Sequence, residues 1–445
     1  MKNIPIIERL IICVGSFFIL AAIFINEWTL TIWFCPDGIS SHIRTNFRIY
    51  DITLISIGAL LIICRKKDIT KNLCLLLFSL LVTFVMAEVY FRAFNPHENV
   101  KSEQNIFFEY NDALGWQLIP NMSGVVSSKH EYHTVVTINN AGMRDKERHV
   151  AKTSGEKRIA VLGDSFTTGM DVDDKAVFTQ IMENNLFKNI EVLNFGVNGY
   201  GPTQEYLLLK LRALRYKPDV VVMVIYMGND FDDIIGLSDW IDGYKRPQAV
   251  LNKQGKIDLT NIPVPRTEGR YLRKKEQVCD LPQSHLVNFL DKYLHELKKN
   301  KYAIENMPSE LRICKKNPDE QTIGAFNLMQ GIINETNWLC KRNGTRFVVV
   351  AAPTIIQVYN NVFWPKIVKK YNLNTDTYDL EAPDKVLAKI CDTLNIPYLD
   401  LTASLKEAAK KGEDVYYYDN QHWNRKGHQL VAEAISEFMK GNNLL

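Results

Sequence analysis

The apolar residues of this chain concentrate in three uncharged stretches near its beginning. Residues 10–26 form a run of 17 without a charge, residues 52–64 a run of 13, and residues 72–87 a run of 16. At about 1.5 Å of rise per helical residue, the first and third approach the ~30 Å thickness of a hydrocarbon layer. The second is short and spans only if residues 49–51 lie at headgroup level. About three transmembrane helices are therefore expected within residues 1–94, and a cleaved signal peptide is the alternative interpretation of the first stretch.

The distribution of Lys and Arg predicts the orientation of these segments. The tightest basic cluster lies between the second and third stretches and comprises Arg65, Lys66, Lys67 and Lys71. Cytoplasmic loops collect basic residues, so this loop is expected inside and everything after Arg92 outside the cytoplasm. Arg44 and Arg48 weaken the pattern. If the middle stretch did not span, the chain would cross the membrane twice instead of three times, and the large domain would lie in the cytoplasm.

Behind the membrane segments, the pattern of polar and apolar positions changes twice. Residues 95–150 are rich in Asn, Gly, Ser and Thr and contain short alternating runs such as 133–138, which is typical of a small β-rich connector. From residue 151 onward, short apolar runs alternate with amphipathic stretches. The expected strands are 158–162, 191–195, 219–226, 346–351 and 397–399, and the expected helices are 175–187, 202–215, 322–342, 382–394 and 424–439. This order predicts an α/β domain over residues 151–445, with a parallel sheet covered on both faces.

The alternation is interrupted over residues 236–321, which are polar, basic in patches and irregular, and which we interpret as an insertion. Within it, apolar residues recur at helical spacing at Leu286, Phe289, Leu290, Tyr293, Leu294 and Leu297. Such an apolar stripe needs a partner surface. Packing on the main domain is the expected outcome, and a lid or a membrane-surface contact is the alternative. The insertion leaves the sheet a few residues after Asn229, so we expect it to shape the site described below.

Charge and cysteine content narrow the functional classes. The chain has a net charge of +3, and because residues 1–95 hold nine basic and six acidic side chains, 44 of each sign remain for the rest. A domain without net charge gives no support to nucleic-acid binding. Four of the eight cysteines lie in the large domain, namely Cys279, Cys314, Cys340 and Cys391. Outside the cytoplasm these cysteines can form disulfides, and a Cys279–Cys314 bridge would cross-link two parts of the insertion. Since no CxxC or Cys/His cluster occurs, no metal site is expected.

Two candidate reactive segments directly follow expected strands. Side chains at the carboxyl edge of a parallel sheet project into a common crevice. The Gly-Asp-Ser segment at 163–165 follows the first strand and places the hydroxyl and N–H of Ser165 at a helix start, where a developing anion is favoured. Ordinary helix capping is the alternative interpretation. The glycine-rich segment 194–201 follows the second strand, where Gly199 allows a backbone N–H to approach a ligand, although glycines also suit a tight turn.

Two further segments supply an amide, a carboxylate and an imidazole. Asn229 follows the third strand and can donate to an oxyanion. Asp419 precedes His422 by three residues just before the last helix, a spacing at which a carboxylate can fix the tautomer of an imidazole that acts as a base. His428 lacks such an upstream carboxylate and is expected to pack as a helix residue. The acidic residues Asp230, Asp232 and Asp233 are interpreted as a solvated loop or helix start rather than a cation site.

These four segments, in this order, closely resemble the SGNH (GDSL) hydrolase family. The resemblance covers residues 157–438 without the insertion, and it implies a flavodoxin-like three-layer sandwich. It also implies Ser165 as nucleophile, the Ser165 N–H, Gly199 N–H and Asn229 amide as oxyanion donors, His422 as base and Asp419 as its orienting partner. No cofactor or metal is implied. Short motifs at 114–116 (LGW), 120–121 (PN) and 139–145 (NNAGMRD) look like the segment that precedes such domains in some bacterial envelope proteins.

The resemblance implies a serine esterase that acts on O-acyl esters through a Ser165 acyl-enzyme. The expected substrate is an acylated cell-envelope glycan or lipid, and the expected location is a bacterial inner or plasma membrane with the catalytic domain outside the cytoplasm. An O-acyltransferase that modifies an envelope polysaccharide shares the same residues and is one alternative. A catalytically silent carbohydrate-binding domain is the other.

Overall fold

The structure is a computed structural model that describes residues 5–26, 29, 41–94, 104–128, 131–237, 245–266, 284–298 and 306–445. Its helices, in chain order, are α1 (Ile6–Phe24), α2 (Ser41–Ile63), α3 (Asp68–Phe94), α4 (Ser165–Thr168), α5 (Phe178–Ile181), α6 (Pro202–Leu211), α7 (Asp230–Asp233), α8 (His285–Lys298), α9 (Glu320–Arg342), α10 (Ile355–Val358), α11 (Asn360–Tyr371), α12 (Ala382–Thr393), α13 (Thr402–Lys410) and α14 (Arg425–Gly441). Its strands are β1 (Phe108–Asn111), β2 (Gly115–Leu118), β3 (Ser123–Ser127), β4 (His133–Thr137), β5 (Lys157–Gly163), β6 (Ile190–Gly196), β7 (Val220–Tyr226), β8 (Gln248–Leu251), β9 (Ile257–Thr260), β10 (Arg346–Ala352) and β11 (Tyr398–Asp400).

The chain divides into two compact units. The first holds the expected membrane segments and is called the membrane unit (residues 1–99 and 272–299). The second holds the candidate catalytic residues and is called the catalytic unit (residues 100–271 and 300–445). The insertion is therefore shared: its helix α8 belongs to the membrane unit, while the β8–β9 hairpin belongs to the catalytic unit.

Within the membrane unit, α1 and α2 pack at very close range where two glycines face each other. A Cβ atom on Gly58 would lie 2.5 Å from the carbonyl oxygen of Gly15, and a Cβ on Gly15 would lie 2.8 Å from that of Gly58. Small residues permit this approach of two helix backbones, as is common between helices in membranes. A larger residue at either position would push the two helices apart.

Two of the described helices, α1 and α3, are long and apolar enough to cross a membrane, with 19 and 27 residues. Only 6% of the apolar window of α3 is buried. A core helix of a soluble protein would instead be largely covered by other residues. The middle stretch lies in α2, whose helix extends from residue 41 to residue 63, and the three-span topology stays a prediction.

Helix α8 carries the apolar stripe of the insertion and packs within the membrane unit. The rings of Phe289 and Phe91 stack with centroids 4.5 Å apart. Glu88 of α3 accepts hydrogen bonds from the backbone N–H groups of His285 and Leu286 at 3.2 and 3.0 Å. The expectation that this stripe packs on the main domain is thus wrong for Phe289, because an aromatic partner on α3 covers it.

The catalytic unit is built on a five-stranded parallel sheet in the order β11-β10-β7-β5-β6. Strands β5, β7 and β10 are apolar and buried along nearly their whole length, as strands covered on both faces must be. One hydrophobic core lies on each side of the sheet. The predicted parallel α/β sandwich is confirmed, and all five expected strands appear within two residues of their predicted bounds.

Two expected helices are shorter than predicted. The stretch 175–187 is interrupted at Val177, which is extended with φ −67° and ψ 134°, and the α-helix Phe178–Ile181 that follows continues as a π-helical turn over Met182–Leu186. The stretch 202–215 is helical to Leu211 and then tightens into a 3₁₀ turn that ends at Lys217, whose φ of 51° is left-handed. At both interruptions the amphipathic spacing of the sequence continues, although the backbone leaves the α-helical conformation.

The connector folds onto the catalytic unit as two antiparallel hairpins, β1–β2 and β3–β4. Its large apolar side chains, such as Phe107, Trp116 and Ile138, are fully buried and join the core on one side of the sheet. Among the cysteines, Cys314, Cys340 and Cys391 are buried free thiols, whereas Cys279 of the expected bridge lies outside the described residues. Burial raises the pKa of the Cys340 and Cys391 thiols to about 12.

Candidate active site

Ser165 lies at a tight turn between β5 and α4. Asp164 caps the helix, since its Oδ1 accepts a hydrogen bond from the Phe166 N–H at 2.9 Å. Gly163 leaves no room for a side chain, because a Cβ there would lie 2.1 Å from Oγ1 of Thr167. The turn therefore requires this glycine, and it places the serine at the first position of a helix, as the sequence predicted.

The sheet order places the other two loops beside this turn. Strand β5 lies between β6 and β7, with Gly163 paired to Gly196 and Leu162 paired to Met223. The loops that carry Gly199 and Asn229 therefore leave the sheet on either side of Ser165 at the same carboxyl edge. Side chains and N–H groups from three adjacent loops can converge on one bound group there.

Two backbone N–H groups at this edge are free for a ligand. In the described part of the chain, no backbone hydrogen bond uses the N–H of Ser165 or of Gly199. Gly199 has a φ of 74°, a left-handed conformation that glycine adopts without strain. Both groups therefore lack a backbone acceptor at the edge where the sequence predicts an oxyanion site.

The Asn229 amide is held in place by a carboxylate of the next helical turn. Its Nδ2 donates to Asp233 Oδ2 at 2.5 Å, which leaves the second N–H of the amide for another acceptor. Asp233 is itself braced by Arg246, whose Nη1 lies 2.7 Å from Asp233 Oδ1, and the Arg246 guanidinium lies 5.5 Å from the Trp116 ring centroid. The base of the insertion thus helps to orient Asn229.

His422 reaches the serine from the far end of the chain. Its Nε2 lies 2.7 Å from Ser165 Oγ, across 257 residues of sequence. The Tyr417 N–H donates to the His422 carbonyl at 2.8 Å, and the imidazole lies against the Phe166 ring with centroids 4.8 Å apart. His428 is buried and accepts from the Phe178 N–H at 3.4 Å, and burial lowers its pKa to about 3. The contact with Ser165 therefore falls on His422.

The carboxylate beside the second imidazole nitrogen comes from a position that the sequence did not suggest. Asp171 Oδ2 lies 3.1 Å from His422 Nδ1, and the Asp171 side chain is only 8% exposed. Asp419 donates its backbone N–H to Glu131 Oε2 at 2.8 Å. Asp171 is thus a second candidate for the orienting role that was predicted for Asp419.

The connector holds the segment that carries the histidine. Glu131 accepts from the backbone N–H groups of Tyr418 and Asp419 at 2.9 and 2.8 Å, so both of its carboxylate oxygens are used. Tyr132 accepts from Asn420 Nδ2 at 2.9 Å. Its own pKa is raised by burial and by the charge of Asp171. These contacts make the β3–β4 turn a clamp on the 417–422 segment.

Arg144 holds the loop that carries Asp171. This buried guanidinium donates to the carbonyl oxygens of Thr168, Gly169 and Val172, the last at 2.5 Å. Arg144 belongs to the NNAGMRD motif of the connector, which the sequence offered only as part of a resemblance. The roles of these connector residues depend on burial and on contacts with distant parts of the chain, which no local sequence pattern reveals.

Several carboxylates lie buried behind the turn. Burial raises the pKa of Asp164 to about 7 and that of Asp233 to about 6, and it raises the pKa of Glu205 well above its usual range. Asp230 accepts from the Tyr226 N–H at 2.7 Å, and Asp232 pairs with Arg312. Within the described ranges, no three His, Cys, Asp or Glu side chains group in a way that could hold a metal ion.

The Glu131 contacts lead to a testable prediction. Replacing Glu131 by glutamine removes its charge and one acceptor oxygen. We expect kcat to fall about tenfold with little change in KM, since a lost charged hydrogen bond is worth about 1.5–3 kcal/mol. Steady-state kinetics with an aryl ester would measure this, with Glu320→Gln on the exposed first turn of α9 as the matched control. Equal kcat values for both variants would show that the clamp does not affect the histidine.

Comparison with known protein families gives a match to the last part of the chain. Residues 316–445 match the family described as "SGNH hydrolase-like domain, acetyltransferase AlgX". No curated protein matches the chain.

Solved structures that resemble this one include the lipase/acylhydrolase from Enterococcus faecalis, at 12% identity and a TM-score of 0.34, with 64% of this chain and 96% of that chain covered. A member of the lipolytic protein G-D-S-L family from Veillonella parvula has 14% identity and a TM-score of 0.31, with 63% and 97% covered. The acetyl xylan esterase AlAXEase has 12% identity and a TM-score of 0.35, with 63% and 98% covered.

The matched segment includes the 417–422 loop, and the structure joins that loop to the serine turn through a hydrogen bond. The family match includes His422, and its imidazole contacts Ser165 of the Gly-Asp-Ser turn; residues 316–445 are therefore similar to an SGNH hydrolase-like domain, and the site supports acyl esterase or acyltransferase chemistry.

Proposed function

We propose that this protein hydrolyses O-acyl esters of a cell-envelope glycan or lipid through an acyl-enzyme on Ser165. The observation that carries the proposal is the 2.7 Å contact between Ser165 Oγ and His422 Nε2. The imidazole takes the serine proton as Oγ attacks the ester carbonyl, and the tetrahedral oxyanion accepts hydrogen bonds from the Ser165 and Gly199 N–H groups and the Asn229 amide. His422 then returns the proton to the departing alcohol, and water repeats the sequence to release the acid.

The Asn229 amide should contribute strongly to this reaction. Replacing Asn229 by alanine removes one oxyanion donor, and such a loss costs about 10² to 10³ in kcat. Asn184→Ala, at an exposed position of the helical turn after α5, is the matched control. Both variants would be assayed for cleavage of a short-chain aryl ester, with thermal unfolding as the check on folding. If Asn229→Ala kept its full rate, the amide would have no part in stabilising the oxyanion.

Transfer to a sugar hydroxyl is the second candidate, and it is favoured by the description of the matching family as an acetyltransferase. The same acyl-enzyme serves both outcomes, because only the acceptor differs. The purified full chain would be given an aryl ester with and without glycan acceptors, and both acid and acylated glycan would be measured. Acid release unaffected by acceptors supports hydrolysis, whereas acylated glycan formed at the expense of acid supports transfer.

We place the catalytic unit outside the cytoplasm, at a bacterial inner or plasma membrane. The basic loop at residues 65–67 between α2 and α3 supports this orientation, since such loops stay in the cytoplasm. Reporter fusions after residue 100 should be active when the reporter works only outside the cytoplasm. Activity solely from a reporter that requires the cytoplasm would contradict the three-span topology.

A further inference from the structure

Helix α8 is amphipathic and begins at a defined level of the membrane helix α3. The uncharged run of α3 ends at Ala87, and Glu88 follows directly. Its carboxylate accepts from the Ser284 hydroxyl at 2.8 Å and from the N–H groups of His285 and Leu286. A carboxylate at this place stabilises the first turn of α8, because the N–H groups there lack partners within the helix. The start of α8 is thereby fixed where the apolar part of α3 ends.

The residues of α3 near this point are those of a membrane interface. Tyr90 and Phe94 are exposed, at 55% and 76%, and Arg92 donates to Glu88 at 2.7 Å. Aromatic rings and charged groups of this kind gather at headgroup level. The contact between Phe91 and Phe289 continues this aromatic layer onto α8.

One face of α8 covers Phe91, and a second apolar face is about half exposed among the residues that the structure describes. Val287, Leu290 and Tyr293 are spaced three residues apart and are 51%, 43% and 50% exposed. Three large apolar side chains in a row on an exposed helix face are unfavourable in water, because water orders around apolar surface. In a bilayer interface the same face is stabilised, since amphipathic helices of this type bury their apolar side among the acyl chains.

We propose that α8 is an interfacial helix that lies in the headgroup layer of the bilayer crossed by α3, with Val287, Leu290 and Tyr293 in contact with lipid. The apolar face of α8 contacts lipid rather than protein, because the helix is capped by, and packs against, the interfacial end of a membrane helix. The insertion of the catalytic domain is then a membrane-binding element, independent of which acyl ester the active site takes.

Position-specific photocrosslinking in the full chain tests this proposal. The protein, in nanodiscs of phosphatidylethanolamine and phosphatidylglycerol, carries p-benzoylphenylalanine in place of Val287, Leu290 or Tyr293. Asn288 on the same helix is the matched control position, and Phe84 within α3 is the positive control. After irradiation, mass spectrometry measures the fraction of protein that carries a phospholipid adduct. We expect adducts at the three apolar positions and at Phe84 in at least about tenfold excess over Asn288.

A second variant separates the role of the cap from that of the helix itself. Glu88→Gln weakens the capping of α8, so adducts at Leu290 should fall severalfold while those at Phe84 stay unchanged. Crosslinks from Leu290 to peptides of the catalytic unit, or adducts no more frequent than at Asn288, would overturn the proposal in favour of packing on protein or exposure to water.

Discussion

Alanine in place of Ser165 is expected to abolish ester cleavage while the protein remains folded. The hydroxyl that contacts His422 at 2.7 Å is the only atom group removed, and without it no acyl-enzyme can form. Loss of a serine nucleophile typically lowers kcat by about 10⁶, and the residual rate comes from the remaining oxyanion donors and binding. We therefore expect kcat/KM for a short-chain aryl ester to fall by at least about 10⁴-fold.

The chain offers a matched control for this change. Ser404 is exposed on α13, so Ser404→Ala removes a hydroxyl of the same kind and should leave kcat/KM within about twofold of the unaltered protein. Thermal unfolding of both variants would check the fold. A Ser165→Ala protein that cleaved the ester at the full rate would refute the assignment of the nucleophile.

Asparagine in place of Asp171 is expected to cause the second-largest loss. Asp171 lies 3.1 Å from His422 Nδ1, where a carboxylate fixes the tautomer that leaves Nε2 free to accept the serine proton. An amide of the same shape can present an N–H and favour the wrong tautomer. Replacement of this carboxylate in serine enzymes lowers kcat by about 10⁴, and we expect a loss of about 10³ to 10⁴ with little change in KM.

Asp419→Asn is the matched variant, because the sequence assigned the same role to Asp419. Because Asp171 lies beside His422 Nδ1 and an asparagine at 419 keeps the backbone N–H that contacts Glu131, we expect a loss below about tenfold. Both variants would be compared by kcat, KM and the pH profile of kcat. A loss confined to Asp419→Asn would return the orienting role to Asp419, and Asp171 would then only support the loop.

The fold could be predicted because the strands of the catalytic unit are buried on both faces. Residues 220–226 are almost entirely apolar, a composition that fits few structures other than the middle of a parallel sheet. The helix over 175–187 could not be predicted in its true form, since the extended Val177 interrupts it without any proline or glycine. The partner of the α8 stripe was also missed, because helical spacing reveals an apolar face but not what covers it.

A site residue could be predicted where its role follows from its position next to a strand, and not where its role depends on tertiary contacts. Ser165, Gly199 and Asn229 follow strands directly, so their common edge could be inferred from the order of elements. Asp171 lies six residues after the serine in a short loop, and its closeness to His422 depends on how Arg144 holds that loop. Tertiary contacts of this kind leave no periodic pattern, and a nearby Asp three residues before the histidine offered a simpler choice.

The covalent acyl-enzyme that we propose on Ser165, formed with the help of His422, can be tested directly. The most direct measurement is peptide mass spectrometry of the full chain after reaction with a fluorophosphonate probe, which phosphonylates activated serines with loss of fluoride. We predict a single adduct on the peptide that contains Ser165, with labelling at least about 10²-fold slower in His422→Asn. An adduct on a different serine that accompanies loss of ester cleavage, or no adduct at Ser165 in protein that cleaves esters, would contradict the account.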